Sequence, residues 1–292
     1  MRCGMTHSEP ILVVQAPSSL DDAPLDRLAR ACGANNILRV SPTAARLSGV
    51  SAPLSDETCA LAEQLGCDLA LMPAGLRFAD LGLVVSDMDS TLITIECIDE
   101  IADMQGIKDK VAAITERSMR GELDFSASLR ERVSLLAGLE ESALERVWSE
   151  RLALTPGART LIDTCHASNV AFMLVSGGFT FFTDRLKAQL GLDYAFANQL
   201  EVRDGRLTGR VIGDIVDARA KRDLLVRVRD ELGLAPGTVL AVGDGANDLA
   251  MLGEAGIGVA FRAKPVVRRQ ADVAINHMGL DGIVGLFAGE TS

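Results

Sequence analysis

Two aspartates separated by one residue, Asp87 and Asp89, directly follow a short apolar run at 83–86. Two carboxylates this close repel each other unless a cation or a shared proton lies between them. A calcium-binding loop also begins Asp-x-Asp, but here its sixth position is Leu92 instead of glycine and its twelfth is Ile98 instead of glutamate. An isolated Asp-x-Asp is usually a solvated turn. The strand before this pair favours a divalent-metal site instead, because α/β sheets bind ligands where their strands end.

A second apolar run, at 170–175, ends in Ser176-Gly177-Gly178. A hydroxyl and unobstructed backbone amides at such a point can hold an anion. The segment does not match the Gly-x-Ser-x-Gly turn of hydrolases that use a serine nucleophile. Because Ser-Gly-Gly is more often an ordinary turn, it indicates an anion site only in combination with other motifs.

A third polar segment, Gly243-Asp244-Gly245-Ala246-Asn247-Asp248, follows the apolar run at 239–242. It is not a dinucleotide fingerprint, because its sixth residue is Asp248, and the chain has no Gly-Lys pair of a P-loop. Its two carboxylates are suited to completing a magnesium site. Lys221 begins a predicted helix at 221–232, and since a lysine on a helix is usually solvated, its role depends on the order of the other motifs.

The elements that must position these residues alternate between strand and helix from residue 81 onward. Predicted strands at 83–86, 170–175, 239–242 and 258–261 are separated by helical segments, which is typical of a doubly wound parallel sheet. The segment at about 96–152 is too long for a simple crossover and predicts a helical cap over the site, with helices at 107–119, 125–136 and 141–152. A hairpin is predicted at 200–211, turning at 203–205.

Residues 1–76 have a different pattern, which predicts a separate N-terminal domain. Apolar runs and helical spacing follow the order strand, helix, strand, strand, helix, strand. This βαββαβ order resembles the small ACT-like, ferredoxin-like regulatory domains. We therefore expect two domains, 1–76 and 77–292, joined by a linker within 73–80.

Composition excludes several classes of protein. The 292 residues are 48% hydrophobic and 24% charged, as in an ordinary globular protein. A net charge of −11 argues against nucleic-acid binding but not against a small anionic substrate. The sequence shows neither a membrane-length apolar stretch nor a signal peptide, and its six cysteines lack metal-site spacing. We expect a cytoplasmic protein that binds no membrane.

The ordered motifs resemble the four signature motifs of the haloacid dehalogenase (HAD) superfamily, and the resemblance covers residues 81 to about 287. It implies an α/β fold, a HAD-like Rossmannoid parallel sheet with a helical cap inserted after the first motif. Longer stretches such as DSTLITIECIDEIA and LDYAFAN resemble the members that hydrolyse O-phospho-L-serine, the last step of serine biosynthesis. The residues that carry the motifs are Asp87, Asp89, Thr91, Ser176, Lys221, Asp244, Gly245 and Asp248.

The resemblance also implies catalytic roles. Asp87 would be the nucleophile that becomes an aspartyl phosphate, and Asp89 the general acid and base. One Mg²⁺ would be held by the Asp87 carboxylate, the Asp89 backbone carbonyl and Asp244. Thr91 and Gly245 would support these motifs.

Further implied roles concern the substrate's phosphate. Ser176, the Gly177 amide and Lys221 would hold the phosphoryl oxygens. Asn247 would contact the phosphate side of the substrate. Asp248 would fix either Lys221 or metal-bound water.

Specificity is expected in the cap. The resemblance assigns the substrate ammonium to Glu96 and its carboxylate to Arg132, because arginine can bind a carboxylate through two nitrogens. Taken alone, Arg132 is equally a solvated arginine of a charged helix. Met119 and Phe125 either line an apolar wall of the site or belong to the ordinary core of the cap.

Two other functional hypotheses remain open at this point. The enzyme could transfer the phosphoryl group to another alcohol, such as homoserine, because acceptor choice depends on cap closure and water access. Alternatively, the N-terminal domain could make the protein an amino-acid sensor with little turnover. Serine feedback and a homodimer through that domain are further hypotheses.

Overall fold

The computed structural model describes residues 9–287, which form two β-sheets with helices packed on them. The first sheet and its helices comprise β1 (Ile11–Gln15), α1 (Asp22–Cys32), β2 (Asn36–Ser41), β3 (Ala44–Ser48), α2 (Asp56–Gln64) and β4 (Asp68–Met72). The second part opens with β5 (Leu83–Ser86), followed by α3 (Cys97–Met104), α4 (Lys108–Met119), α5 (Phe125–Ser134), α6 (Ser142–Glu150) and α7 (Ala158–Ala167). It continues with β6 (Ala171–Phe179), α8 (Thr180–Leu190), β7 (Tyr194–Arg203), β8 (Arg206–Ile212), α9 (Ala218–Glu231), β9 (Val239–Gly243), α10 (Leu249–Glu254), β10 (Ile257–Phe261), α11 (Pro265–Arg268), β11 (Val273–Ile275) and α12 (Gly282–Gly285).

The larger sheet has seven strands in the order β11-β10-β9-β5-β6-β7-β8, and all neighbours are parallel except β7 and β8. Its central strands β5 and β9 are buried at every residue, which agrees with their continuous apolar runs. From β5 the chain first continues to β6 on one side and later returns to β9 on the other. The carboxyl end of β5 therefore lies at a switch point of the strand order, where doubly wound folds bind their ligands. The predicted α/β class is confirmed.

Four helices between β5 and β6, α3 to α6, occupy the segment where a cap is predicted, and this group of helices is called the cap. The expected helices correspond to α4, α5 and α6 within a few residues. Helix α3 was not predicted, because it has only eight residues and its apolar face is short. Its buried side chains, among them Ile98 and Ile101, join the core cluster that also contains Leu129 and Val133 of α5. The cap is thus packed on the strand end that carries the motif.

Three local expectations need correction. The hairpin predicted at 200–211 is longer than expected: β7 pairs in parallel with β6, and β8 closes the sheet edge in antiparallel orientation. Strand β6 continues through Ser176 to Phe179, so the Ser-Gly-Gly segment lies within the strand at a register shift instead of after it. Helix α9 begins at Ala218, three residues before Lys221, because the Asp217 carboxylate accepts a hydrogen bond from the Ala220 amide at 2.9 Å and caps the helix.

The smaller sheet is antiparallel with the order β2-β3-β1-β4, and α1 and α2 join its strands in the predicted βαββαβ sequence. Helix α1 joins β1 to β2, and α2 joins β3 to β4. The strands of each pair lie two positions apart in this order, so the four strands form one small layer. Its own core is a cluster that includes Leu12, Leu28 and Leu47, each fully buried. The domain boundary at residue 76 stays a prediction.

The two sheets are joined by a buried carboxylate. Asp68, at the start of β4, is 4% exposed, and it accepts backbone hydrogen bonds from Asn276 at 2.8 Å, from His277 at 3.1 Å and from Met278 at 2.8 Å. These three amides directly follow β11, the edge strand of the large sheet. A carboxylate that satisfies three successive amides orders this turn and attaches the small sheet to the large one. Among residues 9–287, no helix is long and apolar enough to cross a membrane.

We predict that Asp68→Ala lowers the free energy of unfolding by about 1 to 3 kcal/mol, because amides in a partly buried turn lose their acceptor. Urea denaturation followed by circular dichroism measures this change. The control is Asp26→Ala, which removes an exposed carboxylate of α1 and should leave the free energy within about 0.5 kcal/mol. Equal effects of the two substitutions would contradict the joining role of Asp68.

Candidate active site

The carboxyl ends of β5 and β9 and the first turn of α9 bring three charged side chains into direct contact. The Lys221 ammonium donates hydrogen bonds to Asp87 at 2.6 Å and to Asp248 at 2.7 Å. Lys221 is 1% exposed and Asp248 fully buried, so water does not screen these pairs. The two carboxylates stabilise the charged form of Lys221, because a buried ammonium needs opposite charges to replace its lost hydration.

A tight turn at residues 88–92 directs the next aspartate into the same site. Ser90 adopts a left-handed backbone with φ of +56°, a conformation that costs energy in a residue other than glycine. This turn places the Asp89 carboxylate within 2.8 Å of the Cys97 amide, the first residue of α3, which donates to it. The Asp-x-Asp motif is therefore tied to the cap at its first helix.

The Ser-Gly-Gly segment of β6 lies against Asp89. The Ser176 hydroxyl donates to Asp89 Oδ2 at 3.2 Å and accepts from the Gly178 amide at 2.8 Å. A Cβ at residue 178 would lie 2.6 Å from Asp89 Oδ2, closer than such atoms can approach. Gly178 is thus required by close packing.

The pKa values of Asp87 and Asp89 are both raised, but different neighbouring groups act on them. Burial, together with the neighbouring Asp248 carboxylate, raises the pKa of Asp87 well above its usual value, although Lys221 opposes this. Burial also raises the pKa of Asp89, opposed by its hydrogen bond from Cys97. Burial alone would lower the pKa of Lys221, but the Asp248 and Asp87 carboxylates raise it above its ordinary value. Two carboxylates with a single ammonium leave one negative charge that calls for a further cation.

Asp87, Asp244 and Asp248 form a cluster whose carboxylate oxygens lie within 4.8 Å of one another, a set that could hold a metal ion. Burial and Asp248 raise the pKa of Asp244 to about 6, and the Thr91 hydroxyl donates to this carboxylate at 3.3 Å. The Asp248 oxygens already accept bonds from Lys221 and from the Gly245 amide at 3.0 Å. An all-oxygen donor set with excess negative charge fits Mg²⁺ or a similar hard cation. The expected participation of the Asp89 carbonyl stays a prediction.

A cavity of about 450 Å³ lies between these strand ends and the cap. The residues predicted from sequence that line it are Asp87, Asp89, Glu96, Phe125, Arg132, Gly177, Asp244, Gly245 and Asn247. Ser176, Lys221 and Asp248 are fully buried behind this lining. The side chain of Met119, at the end of α4, lies outside the described part of the chain. The cavity therefore joins the motif residues of the core to the residues predicted in the cap.

At the cap side of the cavity, acidic and basic groups lie close together. Ser90 donates a hydrogen bond to Glu96 at 2.7 Å, and burial, followed by the nearby Asp89 charge, raises the pKa of Glu96 to about 7. Burial lowers the pKa of the Arg132 guanidinium, while Asp99 and Glu96 oppose this shift. Arg132 is accordingly a group of the cavity and not a solvated arginine of the helix surface. The lining of the cavity also includes Asp99, and burial raises the pKa of this carboxyl group.

Sequence reasoning missed Asp99 and, among other lining residues, Lys264, Val266 and Val267. Asp99 lies one helical turn after Glu96 on α3, so its spacing could have indicated a shared face if that helix had been predicted. No spacing connects residues 264–267 with the other motifs. They reach the cavity because β10 is the neighbour of β9, and the chain leaves β10 toward the same sheet edge.

Comparison with known proteins assigns the chain to a family. The haloacid dehalogenase-like hydrolases match residues 84–253, more than half of the chain. A family described only as a domain of unknown function matches residues 12–57. The chain belongs to the haloacid dehalogenase-like hydrolases.

Its relatives within that family include phosphoserine phosphatases. The phosphoserine phosphatase of Polaromonas sp. (strain JS666) is 52% identical over 216 residues, which is 72% of this chain and 92% of the relative. The unliganded structure of a probable phosphoserine phosphatase from Vibrio cholerae is 39% identical, with a TM-score of 0.82 over 95% of this chain and 85% of that one. A structure described as a phospho-aspartyl intermediate analogue of phosphoserine phosphatase is 40% identical, with a TM-score of 0.67 over 71% of this chain and 99% of that one.

We predict that Lys221→Met makes folding stability strongly dependent on pH. Without the ammonium, the buried carboxylates of Asp87 and Asp248 repel each other, so the folded variant should retain a proton that the unfolded chain has released. Stability should therefore fall as pH rises, with a loss of about 3 to 5 kcal/mol relative to the unmodified protein at about pH 8 and a smaller loss at about pH 5.

Urea unfolding at both pH values, without divalent cations, measures this effect. Lys110→Met, which removes an exposed lysine of α4, is the matched control and should change stability little at either pH. A loss that is the same at both pH values would contradict the electrostatic coupling inferred for Lys221.

Proposed function

We propose that this enzyme hydrolyses O-phospho-L-serine to L-serine and phosphate through an aspartyl phosphate on Asp87. The observation that carries the proposal is that one cavity has two chemically different ends. Asp87, supported by Lys221, lies at the end suited to a phosphoryl group. Glu96 and Arg132 lie at the cap end, where they complement the ammonium and carboxylate of an amino acid. The phosphoserine phosphatases to which the chain is similar support the same substrate.

In the first step, an Asp87 carboxylate oxygen forms a bond to phosphorus while the bond between phosphorus and the serine oxygen breaks. The leaving oxygen takes a proton from Asp89, whose pKa is raised by burial, which favours the protonated form that a general acid needs. The products of this step are L-serine, an aspartyl phosphate at Asp87 and an ionised Asp89. The related structure with an intermediate analogue supports this step by similarity.

In the second step, ionised Asp89 accepts a proton from water as the water oxygen bonds to phosphorus. The bond between phosphorus and Asp87 then breaks, which releases phosphate and restores both side chains. Asp89 is tied to Ser176 and to the Cys97 amide in the structure, so it needs no rearrangement between its two roles. Acid and base catalysis are thus assigned to one side chain.

Negative charge at the phosphoryl end would be balanced by the Lys221 ammonium and by a metal ion. Lys221 lies 2.6 Å from Asp87, where it would also attract phosphoryl oxygens as negative charge redistributes. The Gly177 amide would donate to the same oxygens, and Asn247 lines the cavity beside them. The single Ser176 proton is donated to Asp89 in the structure, so this hydroxyl would support the acid and base group. When bound by Asp87 and Asp244, Mg²⁺ would keep the nucleophile ionised and reduce its repulsion of the phosphate.

The cap end would select the amino acid. Arg132 would bind the substrate carboxylate, and Glu96 its ammonium. Phe125 lines the same cavity. A Cβ at residue 177 would lie 2.8 Å from the Phe125 ring, so the cap and the phosphate-binding segment are already in contact. Such contact favours hydrolysis within a covered cavity.

For the N-terminal sheet, we infer an ACT-like domain that mediates a homodimer. The strand order β2-β3-β1-β4 and the βαββαβ sequence support the first inference. The edge strand β2 supports the second, because Leu38 is 58% and Val40 51% exposed there. An open edge strand with apolar side chains can pair with a second copy.

The central experiment is a phosphatase assay with Mg²⁺ over a panel of phosphorylated small molecules. We expect a marked preference for phosphoserine, no turnover after removal of divalent cations with EDTA, and a loss of at least about 10⁴-fold in Asp87→Asn, because an amide is not a nucleophile toward phosphorus. Mass spectrometry of acid-quenched enzyme should place the phosphoryl group on the peptide that contains Asp87.

The same assay separates hydrolysis from transfer to other alcohols. With homoserine or another alcohol present, the ratio of released phosphate to released serine should stay at one. A ratio below one, or an absence of phosphorylated Asp87 peptide, would contradict the proposed reaction.

A second prediction concerns recognition of the ammonium. Because the pKa of Glu96 is about 7 without substrate, the Glu96 proton must leave before this carboxylate pairs with an ammonium. The KM for phosphoserine should therefore increase as pH falls below 7, by up to about tenfold per pH unit. O-phospholactate, which has no ammonium, is the matched comparison, because the titration of the phosphate itself affects both esters.

In Glu96→Gln the KM ratio of the two esters should become nearly independent of pH. Michaelis constants measured between about pH 5.5 and pH 8 test this, and they lie on both sides of the Glu96 titration. An unchanged pH dependence of the ratio in the variant would remove Glu96 from ammonium recognition.

A further inference from the structure

A buried asparagine on β7, Asn198, carries no role in the sequence motifs, but it hydrogen-bonds the backbone of the Ser176-Gly177-Gly178 segment. It is 1% exposed. Its amide nitrogen Nδ2 donates to the Gly177 carbonyl at 2.8 Å, and its Oδ1 accepts from the Val216 amide at 2.8 Å. Since one partner is a carbonyl and the other an N–H, only one orientation of the side-chain amide satisfies both.

The bond to the Gly177 carbonyl determines where the next amide points. In a trans peptide the carbonyl oxygen and the following N–H point in opposite directions, so holding one directs the other. The carbonyl of Gly177 is held by Asn198, and the N–H of the same peptide, from Gly178, donates to Ser176 Oγ at 2.8 Å. Ser176 in turn donates to Asp89 Oδ2 at 3.2 Å.

These bonds form a continuous path from Asn198, through one peptide plane and one hydroxyl, to Asp89. A flexible glycine pair would otherwise let this peptide rotate, because neither Gly177 nor Gly178 has a Cβ that restricts it. The strand pairing is also irregular here, since its register shifts between Val175 and Phe179. The asparagine supplies the constraint that the sheet hydrogen bonds lack at this point.

The second bond of Asn198 reaches the segment that leads to Lys221. Val216 lies two residues before Ala218, where α9 begins, and Lys221 is in the first turn of that helix. A single side chain therefore links the Ser176 segment to the start of the helix that carries the buried lysine.

We propose that Asn198 is a positioning residue that orients Asp89 for proton transfer through the Gly177–Gly178 peptide and Ser176. The proposal rests on the proposed function, in which Asp89 protonates the leaving serine oxygen. It predicts that changes at residue 198 affect proton transfer more than substrate binding.

Asn198→Asp is the most informative variant. An ionised aspartate keeps an acceptor for the Val216 amide but places a negative oxygen against the Gly177 carbonyl, whereas a protonated aspartate can donate to it. We expect kcat to fall about 10- to 100-fold at about pH 8, less than the whole contribution of general acid catalysis, with KM changed less than about threefold. The ratio of variant to unmodified kcat should rise as pH is lowered toward about 6.

Comparison of leaving groups separates positioning from a purely structural role. p-Nitrophenyl phosphate releases a stable phenolate and needs little protonation, while phosphoserine releases an alkoxide. Asn198→Asp, and Asn198→Ser as a second variant, should therefore lose at least about fivefold more kcat with phosphoserine than with p-nitrophenyl phosphate. Asn36→Asp, at an exposed position of β2, is the matched control and should change neither rate.

Kinetic constants are expressed per folded molecule, with the folded fraction measured by circular dichroism at each pH. Equal losses on both esters, or a kcat ratio that is independent of pH, would overturn the proposal. Failure of the proposed function itself would show differently, as the absence of phosphoserine turnover and of Asp87 phosphorylation in the unmodified protein.

Discussion

The site depends on one buried ammonium group shared by two carboxylates. Lys221 holds Asp87 and Asp248 at 2.6 and 2.7 Å in a region closed to water, so these three side chains behave as one unit. The remaining negative charge is what a divalent cation would neutralise, and Asp244 lies where it can join the same cluster. Electrostatic balance thus couples the folding of this region to its capacity for a metal ion and to the ionisation of Asp87, the proposed nucleophile.

The sheet topology explains why residues distant in sequence share this unit. The chain leaves β5 to one side and returns to β9 on the other, so Asp87 and Asp244 follow adjacent strands although about half of the chain separates them. The cap is inserted immediately after the first motif, which brings Glu96 and Arg132 over the same strand ends. The proposed function accordingly assigns phosphate chemistry to the core and substrate selection to an insertion that can vary separately.

Much of this arrangement could be predicted from the sequence. The apolar runs of β5 and β9, the polar residues that follow them and the order of the motifs were sufficient to identify the α/β class and the motif residues of the core. The family resemblance added Glu96, Phe125 and Arg132, which also line the cavity. The prediction was less complete where local spacing carries little information. Helix α3 and Asp99 were missed because the helix is short, and the bounds of β6 and α9 were displaced because pairing and capping determine them.

The sequence by itself determined which chemical groups are available, because residue type and period are local properties. These groups are the carboxylates, the hydroxyl and the glycines near strand ends, and a lysine on a helix. Only the tertiary structure decided which of these groups touch. The contact of Lys221 with Asp248, the path from Asn198 to Asp89 and the turn held by Asp68 each join residues distant in the chain. Such contacts arise from the packing of whole elements, and spacing within a single element cannot specify them.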